Sequence, residues 1–385
     1  VLAAKGFRPF FLLAGAFAAL VLPVWLLTLA GVLGAAGPGY LPAVMWHAHE
    51  MIFGFAVAVF AGFLLTAVSN WTGRETLAGK PLLAACALWT LGRIAMALAA
   101  SLPRGVPALV DLAFLPALVL ALARPLVATR GWRNLIMVVA LAVLWLANGA
   151  IHLDALGVLP GASHRAFIVA LDVVVVLMIA MTGRIVPMFT KNATGVTAVR
   201  AQPALDKAAL VAMVATSLLD VSTSDPRLAG TAALVTAVLV AARSATWGTR
   251  HTAHVPMLWI LHAGHAWIVA GLALRGAAAF TASVPAVVAT HALTVGAIGG
   301  LTLGMMSRVS LGHTGRPLTS SPAVTLSFWL MTAAAIVRVL GPLVDVAAYR
   351  TWVFASGILW SLAFALFVFV HAPVLAAPRV DGKPG

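Results

Sequence analysis

Residues Met45 to Val68 read MWHAHEMIFGFAVAVFAGFLLTAV. The stretch is as long as a bilayer-spanning helix needs to be, about 20 residues, and no charge follows Glu50. Outward from it the chain has the same character. It has 385 residues, 62% hydrophobic and 9% charged, and a mean hydropathy of +1.05. That is more apolar surface than a soluble core absorbs, so the fold class is an all-α polytopic membrane protein.

Cuts at charged or Gly/Pro/Ser-rich breaks leave runs at about 9–34, 46–68, 81–100, 107–124, 134–156, 165–188, 205–221, 227–243, 255–274, 284–306, 322–343 and 352–372, which predicts twelve transmembrane helices. The first run is too long for a signal-peptide core of roughly 7 to 15 residues and reads as a retained helix. An even number of crossings puts both termini on one side. The termini and even-numbered connections hold 16 of the 24 Lys and Arg, from Lys5 and Arg8 to Arg379 and Lys383. The other side holds Arg104, Arg165, Arg227, Arg275 and Arg350. Basic residues favour the cytoplasmic face, so both termini are expected in the cytoplasm. The formal charge of +14 is spread over short loops and never forms a block, which argues against nucleic acid and for lipid as the partner. The single Cys86 lies in an apolar segment and excludes disulfide frameworks and thiolate metal sites.

Three loops on the basic side resemble one another: NWTGRETLAGKPLL from Asn70, NATGVTAVRAQPAL from Asn192 and GHTGRPLTSSPAVTL from Gly312. Gly73, Gly195 and Gly315 stand 122 and 120 residues apart (195 − 73 and 315 − 195). A period near 121 residues predicts one transmembrane domain over 1–385, built as a pseudo-threefold set of three four-helix units, about 1–124, 125–243 and 244–372, with a cytoplasmic tail at 373–385. Stepping that period along the chain aligns His49 and Glu50 with Asp172 and then with His291.

Ionisable groups inside a bilayer are costly unless paired, solvated or metal-bound, which makes each a functional candidate. His47 and His49 lie about 200° apart around a helix and face different partners. His49 is the inward ligand candidate, and His47, beside Trp46, is either a second ligand or an interfacial anchor. His262 and His265 in LHAGHAW are about 60° apart on one face, the spacing in which two imidazoles share one metal or one pocket. His291 falls about 10 Å into its helix at 1.5 Å per residue. Gly296, Gly299, Gly300 and Gly304 follow it as a smooth face for close helix packing or for a macrocycle. His152 and His164, with Asn148, Asp154 and Asp172 near them, read as solvated loop ends ahead of a polar entry or proton path, Arg93 and Asp111 as a structural pair, and Arg184 and Arg308 as snorkelling side chains. Imidazole without thiolate suits haem iron and copper. HExxH, Walker and dinucleotide fingerprints do not occur.

Six stretches stand out in combination: FRPFFLLAG from Phe7, WHAHEMIFGF from Trp46, FLLTAVSNWTG from Phe63, GRIVPMF from Gly183, LHAGHAW from Leu261 and HALTVGAIGGLTLGMMSR from His291. By them the chain resembles the NnrS proteins, bacterial inner-membrane haem and copper proteins associated with nitric oxide stress. More distantly it looks like haem-copper oxidases and nitric oxide reductases, although it lacks their histidines in helices six and seven. The resemblance implies one or two haem b groups and copper, with His49, His291 and His47 as haem-ligand candidates and His262 and His265 for copper or a second haem. Glu50 and Asp172 would orient ligands or carry protons, and Arg165 and Arg275 would meet haem propionates. The implied partner is nitric oxide or another small gas, with a quinol or cytochrome as electron donor for turnover. The resemblance is compatible with a nitric oxide reductase-like enzyme and with binding alone. The rival readings are a haem-based sensor and a proton-coupled transporter.

Overall fold

The computed structural model describes residues 1–33 and 39–383. Among the described residues every regular element is a helix. The end of the first expected span at 34 and the last two tail residues, 384–385, lie outside the described residues. The long helices are α1 (Phe7–Leu29), α2 (Ala43–Thr72), α3 (Lys80–Ala97), α4 (Gly105–Ala128), α5 (Trp132–Ala155), α6 (Ala162–Thr194), α7 (Pro203–Ser222), α8 (Pro226–Ser244), α9 (Pro256–Ala278), α10 (Ala286–Gly312), α11 (Pro322–Val344) and α12 (Tyr349–Ala376). Ten of them are long and apolar enough to cross a membrane. The expectation of twelve crossings meets its limit at α3 and α7. Lys80 and Arg93 fall within the 18 residues of α3, and Asp206, Lys207 and Asp220 within the 20 of α7.

Local chemistry sets the boundaries. Helices α3, α7, α8, α9 and α11 carry proline in their first turn, where the missing N–H costs nothing. In the three similar loops, Gly73, Gly195 and Gly315 all take left-handed backbone, φ +64°, +68° and +75°. The threonine before each glycine bonds back one turn, Thr72 to Val68 O, Thr194 to Thr190 O and Thr314 to Ser310 O, at 2.7–2.8 Å. The three loops thus end their helices in the same way.

Two elements depart from α geometry. Glu50–Ala56 within α2 and Ala292–Gly299 within α10 are π-helical. Each begins directly after a histidine, His49 in the first case and His291 in the second. Helix α6 runs without a break through Pro187.

The chain divides into two compact units. Unit 1 comprises residues 1–173, 309–317 and 368–385, and unit 2 comprises 174–308 and 318–367. In unit 1, Phe7, Phe10 and Phe11 of α1 are fully buried, with Phe10 against Phe114 of α4. Arg8, also fully buried, donates to Leu375 O and Ala377 O at 2.7 Å each, capping the end of α12. In unit 2 the glycine face of α10 admits large neighbours. A Cβ on Gly296 would lie 2.4 Å from Trp267, and one on Gly299 2.5 Å from Trp360. Of the two readings of that face, close helix packing accounts for these glycines.

Candidate metal centre

Unit 1 gathers a buried polar cluster from α2, α3, α4 and α5. His49 and Glu50 stand at the start of the π-helical turn, Arg93 comes from α3, Asp111 from α4, and Asn148 and His152 from α5. All six are at most 8% exposed. Spacings of four between Asn148 and His152 set both on one face of α5. Gly92 lets α3 approach α4, since a Cβ there would sit 3.3 Å from Asp111 Oδ1.

His49 Nδ1 lies 2.9 Å from Glu50 Oε1, and its Nε2 lies 2.9 Å from Asn148 Oδ1 and 3.3 Å from Asp111 Oδ2. His152 Nε2 reaches the same Asp111 Oδ2 at 3.0 Å, while its Nδ1 meets the Tyr40 hydroxyl at 3.0 Å. Arg93 donates to Glu50 Oε1 at 2.6 Å and pairs with Asp111 Oδ1. Asn148 Nδ2 donates to Asp111 Oδ2 at 2.6 Å, which turns its carbonyl oxygen toward His49. Tyr40 precedes α2, and burial pushes its hydroxyl up to about 12, so it stays a neutral phenol.

Two counts in this cluster fail to close. His49 faces acceptors through both nitrogens, yet a neutral imidazole has one N–H. One guanidinium, moreover, stands against two carboxylates. A further positive charge at His49 Nε2 answers both: a second ring proton or a monovalent ion brings the cluster to neutral, and a divalent ion leaves it at +1. His49, Asp111 and His152 offer one ligand atom each, all within 4.8 Å of one another. Tetrahedral metal–ligand bonds of 2.0–2.2 Å put neighbouring ligand atoms about 3.3–3.6 Å apart; the 3.3 Å between His49 Nε2 and Asp111 Oδ2 fits that, and the 3.0 Å between His152 Nε2 and the same oxygen is a hydrogen-bond distance. Metal-bound histidine normally gives its other nitrogen to an acceptor, and Glu50 and Tyr40 stand at those positions.

The family follows from the whole chain rather than from the cluster alone: the model of the NnrS protein family matches residues 1–379. The chain belongs to the NnrS family. No curated protein matches it.

In this NnrS family member the remaining candidates are distributed as follows. His47 stacks on Trp25 with ring centroids 4.3 Å apart. Asp172 is fully buried on α6 in unit 1. Arg165 is exposed, and Arg275 forms an ion pair with Asp220. His262 and His265, both buried in unit 2, serve different partners. The ring nitrogens of His262 meet the hydroxyls of Thr190 and Thr249, both at 2.9 Å, while His265 Nε2 meets Val240 O at 3.2 Å and its ring packs on Trp247. His291 belongs to unit 2, with Nδ1 donating to Val287 O at 2.7 Å and Nε2 3.2 Å from Arg338.

Three sequence-based expectations change. His152 and Asn148, expected at solvated loop ends, are 1% exposed and lie inside the cluster, because Asp111 and Tyr40 close over them. Asp154 and His164 stay near the surface, where Asp154 accepts from Gly161 N and Ser163 N at 2.9 Å. Arg93 and Asp111 do pair, as expected, but the pair is shared with Glu50 and two histidines. Arg308, expected to snorkel, is 8% exposed with its guanidinium 4.0 Å from the Phe189 ring centroid. Tyr40 carried no signal beyond being one of two tyrosines in the chain. The spacing of Asn148 and His152 was a readable signal for an inward face.

Proposed function

We propose that this NnrS protein holds a transition-metal ion, copper foremost, through His49 Nε2, His152 Nε2 and Asp111 Oδ2, and acts on nitric oxide in the bacterial inner membrane. The observation that carries the reading is His49 set between acceptors on both sides in a cluster one positive charge short of balance. Two imidazoles and a carboxylate suit Cu(II), and family membership ties the chain to nitric oxide. Bound there, the ion supplies a redox-active centre that a small gas can ligate.

The chain's own residues do the rest. Glu50 and Tyr40 hold the two rings by their Nδ1 atoms, and Arg93 fixes both carboxylates. Asn148 aligns Asp111 with His49. A cavity of about 10 Å³, with apolar walls from Phe53, Trp89 and Phe114, opens onto Arg93, Asp111 and Asn148. Its volume is at the lower limit for one water molecule.

The ring nitrogens of His49 are enclosed by Glu50, Asn148 and Asp111 within 3.3 Å, which fits a bare ion and not a macrocycle. Haem b, which the family resemblance implies, would need Nε2 of His291 as its ligand, and that atom lies 3.2 Å from Arg338, so the residues around His291 do not fit an iron ligand. Turnover would need a quinol or cytochrome as electron donor, with Glu50 at the proton-accepting end. The basic-loop bias supports cytoplasmic termini, and the alike Thr-Gly loops support the threefold repeat. The test is copper content of the purified protein. The reading expects about one ion per chain, lost at least tenfold in His152→Ala and Asp111→Asn; copper kept in both variants would overturn it.

A further inference from the structure

The repeat that puts His49 on α2 puts His291 on α10, since the offset, 291 − 49 = 242, is twice the period of about 121. Each histidine opens a π-helical segment, and in each case the next helix brings an arginine to it, Arg93 on α3 and Arg338 on α11. The counterions differ. Arg93 lies against Glu50 and Asp111. The position equivalent to Glu50, 242 residues on, is Ala292.

Arg338 is 5% exposed. Its Nη2 donates to the Tyr349 hydroxyl at 2.8 Å and lies 3.2 Å from His291 Nε2, and its guanidinium sits 5.1 Å from the Tyr349 ring centroid. Its Nη1 is buried and has no hydrogen-bond partner. Among the described residues no carboxylate pairs with it. The acidic residues of unit 2 are engaged elsewhere: Asp206 with Arg243, Asp220 with Arg275, and Asp225 and Asp345 with backbone N–H groups at helix starts. A guanidinium buried among apolar helices without a counterion is strongly disfavoured.

We propose that Arg338, Tyr349 and His291 form a binding site for a small planar oxyanion, nitrite-sized or a carboxylate, standing where the first repeat supplies its own carboxylate. Both N–H groups of Nη1 are free, while those of Nη2 go to the Tyr349 hydroxyl and His291 Nε2, so an oxyanion replaces His291 as an acceptor of Nη2 and the fork then meets two oxygens of one planar group. The Tyr349 hydroxyl adds a third donor. The same chemistry has two sources, a free anion or a propionate of a bound haem. The site does not depend on the metal reading of unit 1.

The test uses the purified full chain. Sodium nitrite and sodium formate are titrated calorimetrically, with sodium chloride as control, into wild type, Arg338→Gln, Arg338→Lys and Tyr349→Phe. In parallel, haemin and its dimethyl ester, which lacks free propionates, are titrated and followed by the Soret band. Saturable nitrite or formate binding weakened at least tenfold by Arg338→Gln assigns a free anion. A preference for haemin over the ester of tenfold or more, lost in Arg338→Gln, assigns a cofactor carboxylate. Equal behaviour of wild type and Arg338→Gln in both arms, including no binding in either, overturns the proposal. Should Arg338→Gln not fold, Arg338→Lys, which keeps the charge but loses the fork, and Tyr349→Phe carry the same comparison.

Discussion

The burial of His152 had one readable signal, its spacing from Asn148, and was otherwise hidden in the sequence. Near a helix end this histidine has the same local signature as a solvated histidine, and only the meeting of α4 and α5 brings Asp111 to it. His49 and Glu50 were legible, because ionisable groups inside an apolar run stand out against their surroundings. Tyr40 lies in a connection and could not be read. Tyr40→Phe removes the partner of His152 Nδ1 while leaving the proposed ligands in place, so metal affinity should fall roughly 10- to 100-fold in a competitive chelator titration. Arg93→Ala leaves Glu50 and Asp111 buried together without their shared cation, at a cost of roughly 3–5 kcal/mol in unfolding titrations; Arg93→Lys should recover part of it.

At the scale of elements, the helix limits were readable from proline in first turns and glycine at last ones, and the Thr-Gly loops fold alike where the repeat expects it. The π-helical segments were not readable. An apolar helix with no polar stripe carries no periodicity for an inserted residue to disturb. Gly54 shows what such a segment requires. Its carbonyl accepts from Trp89 Nε1 at 3.1 Å, and a Cβ there would lie 2.6 Å from Phe17 and 3.2 Å from Arg93 Cδ. Gly54→Ala should therefore push on the arginine that locks both carboxylates. The expected loss is about 1–3 kcal/mol of stability, with weaker metal binding, read from melting curves with and without added copper. A melting curve unchanged in both conditions would show that α2 can shift without moving Arg93.

At the scale of the molecule, composition alone established a helical membrane protein, whereas the number of crossings depended on α3 and α7, whose charges sit close to the limit a bilayer tolerates. The orientation argument rests on the basic loops, and single cysteines in a Cys86→Ala background test it. Thr129→Cys, in a loop rich in arginine, should react with a membrane-impermeant maleimide only after cell lysis. Ser224→Cys, in the loop before α8, should react in intact cells. The reverse pattern would invert the topology and with it the face from which a gas or an electron donor approaches the cluster.

The central claim is that His49, His152 and Asp111 together hold one metal ion. Its most direct test is elemental analysis of the purified wild-type chain beside His49→Ala, His152→Ala and, as a control from the other unit, His262→Ala. The account predicts about one equivalent of copper in wild type and in His262→Ala, and a loss of at least tenfold in His49→Ala and His152→Ala. Copper retained in His152→Ala and lost in His262→Ala would contradict it.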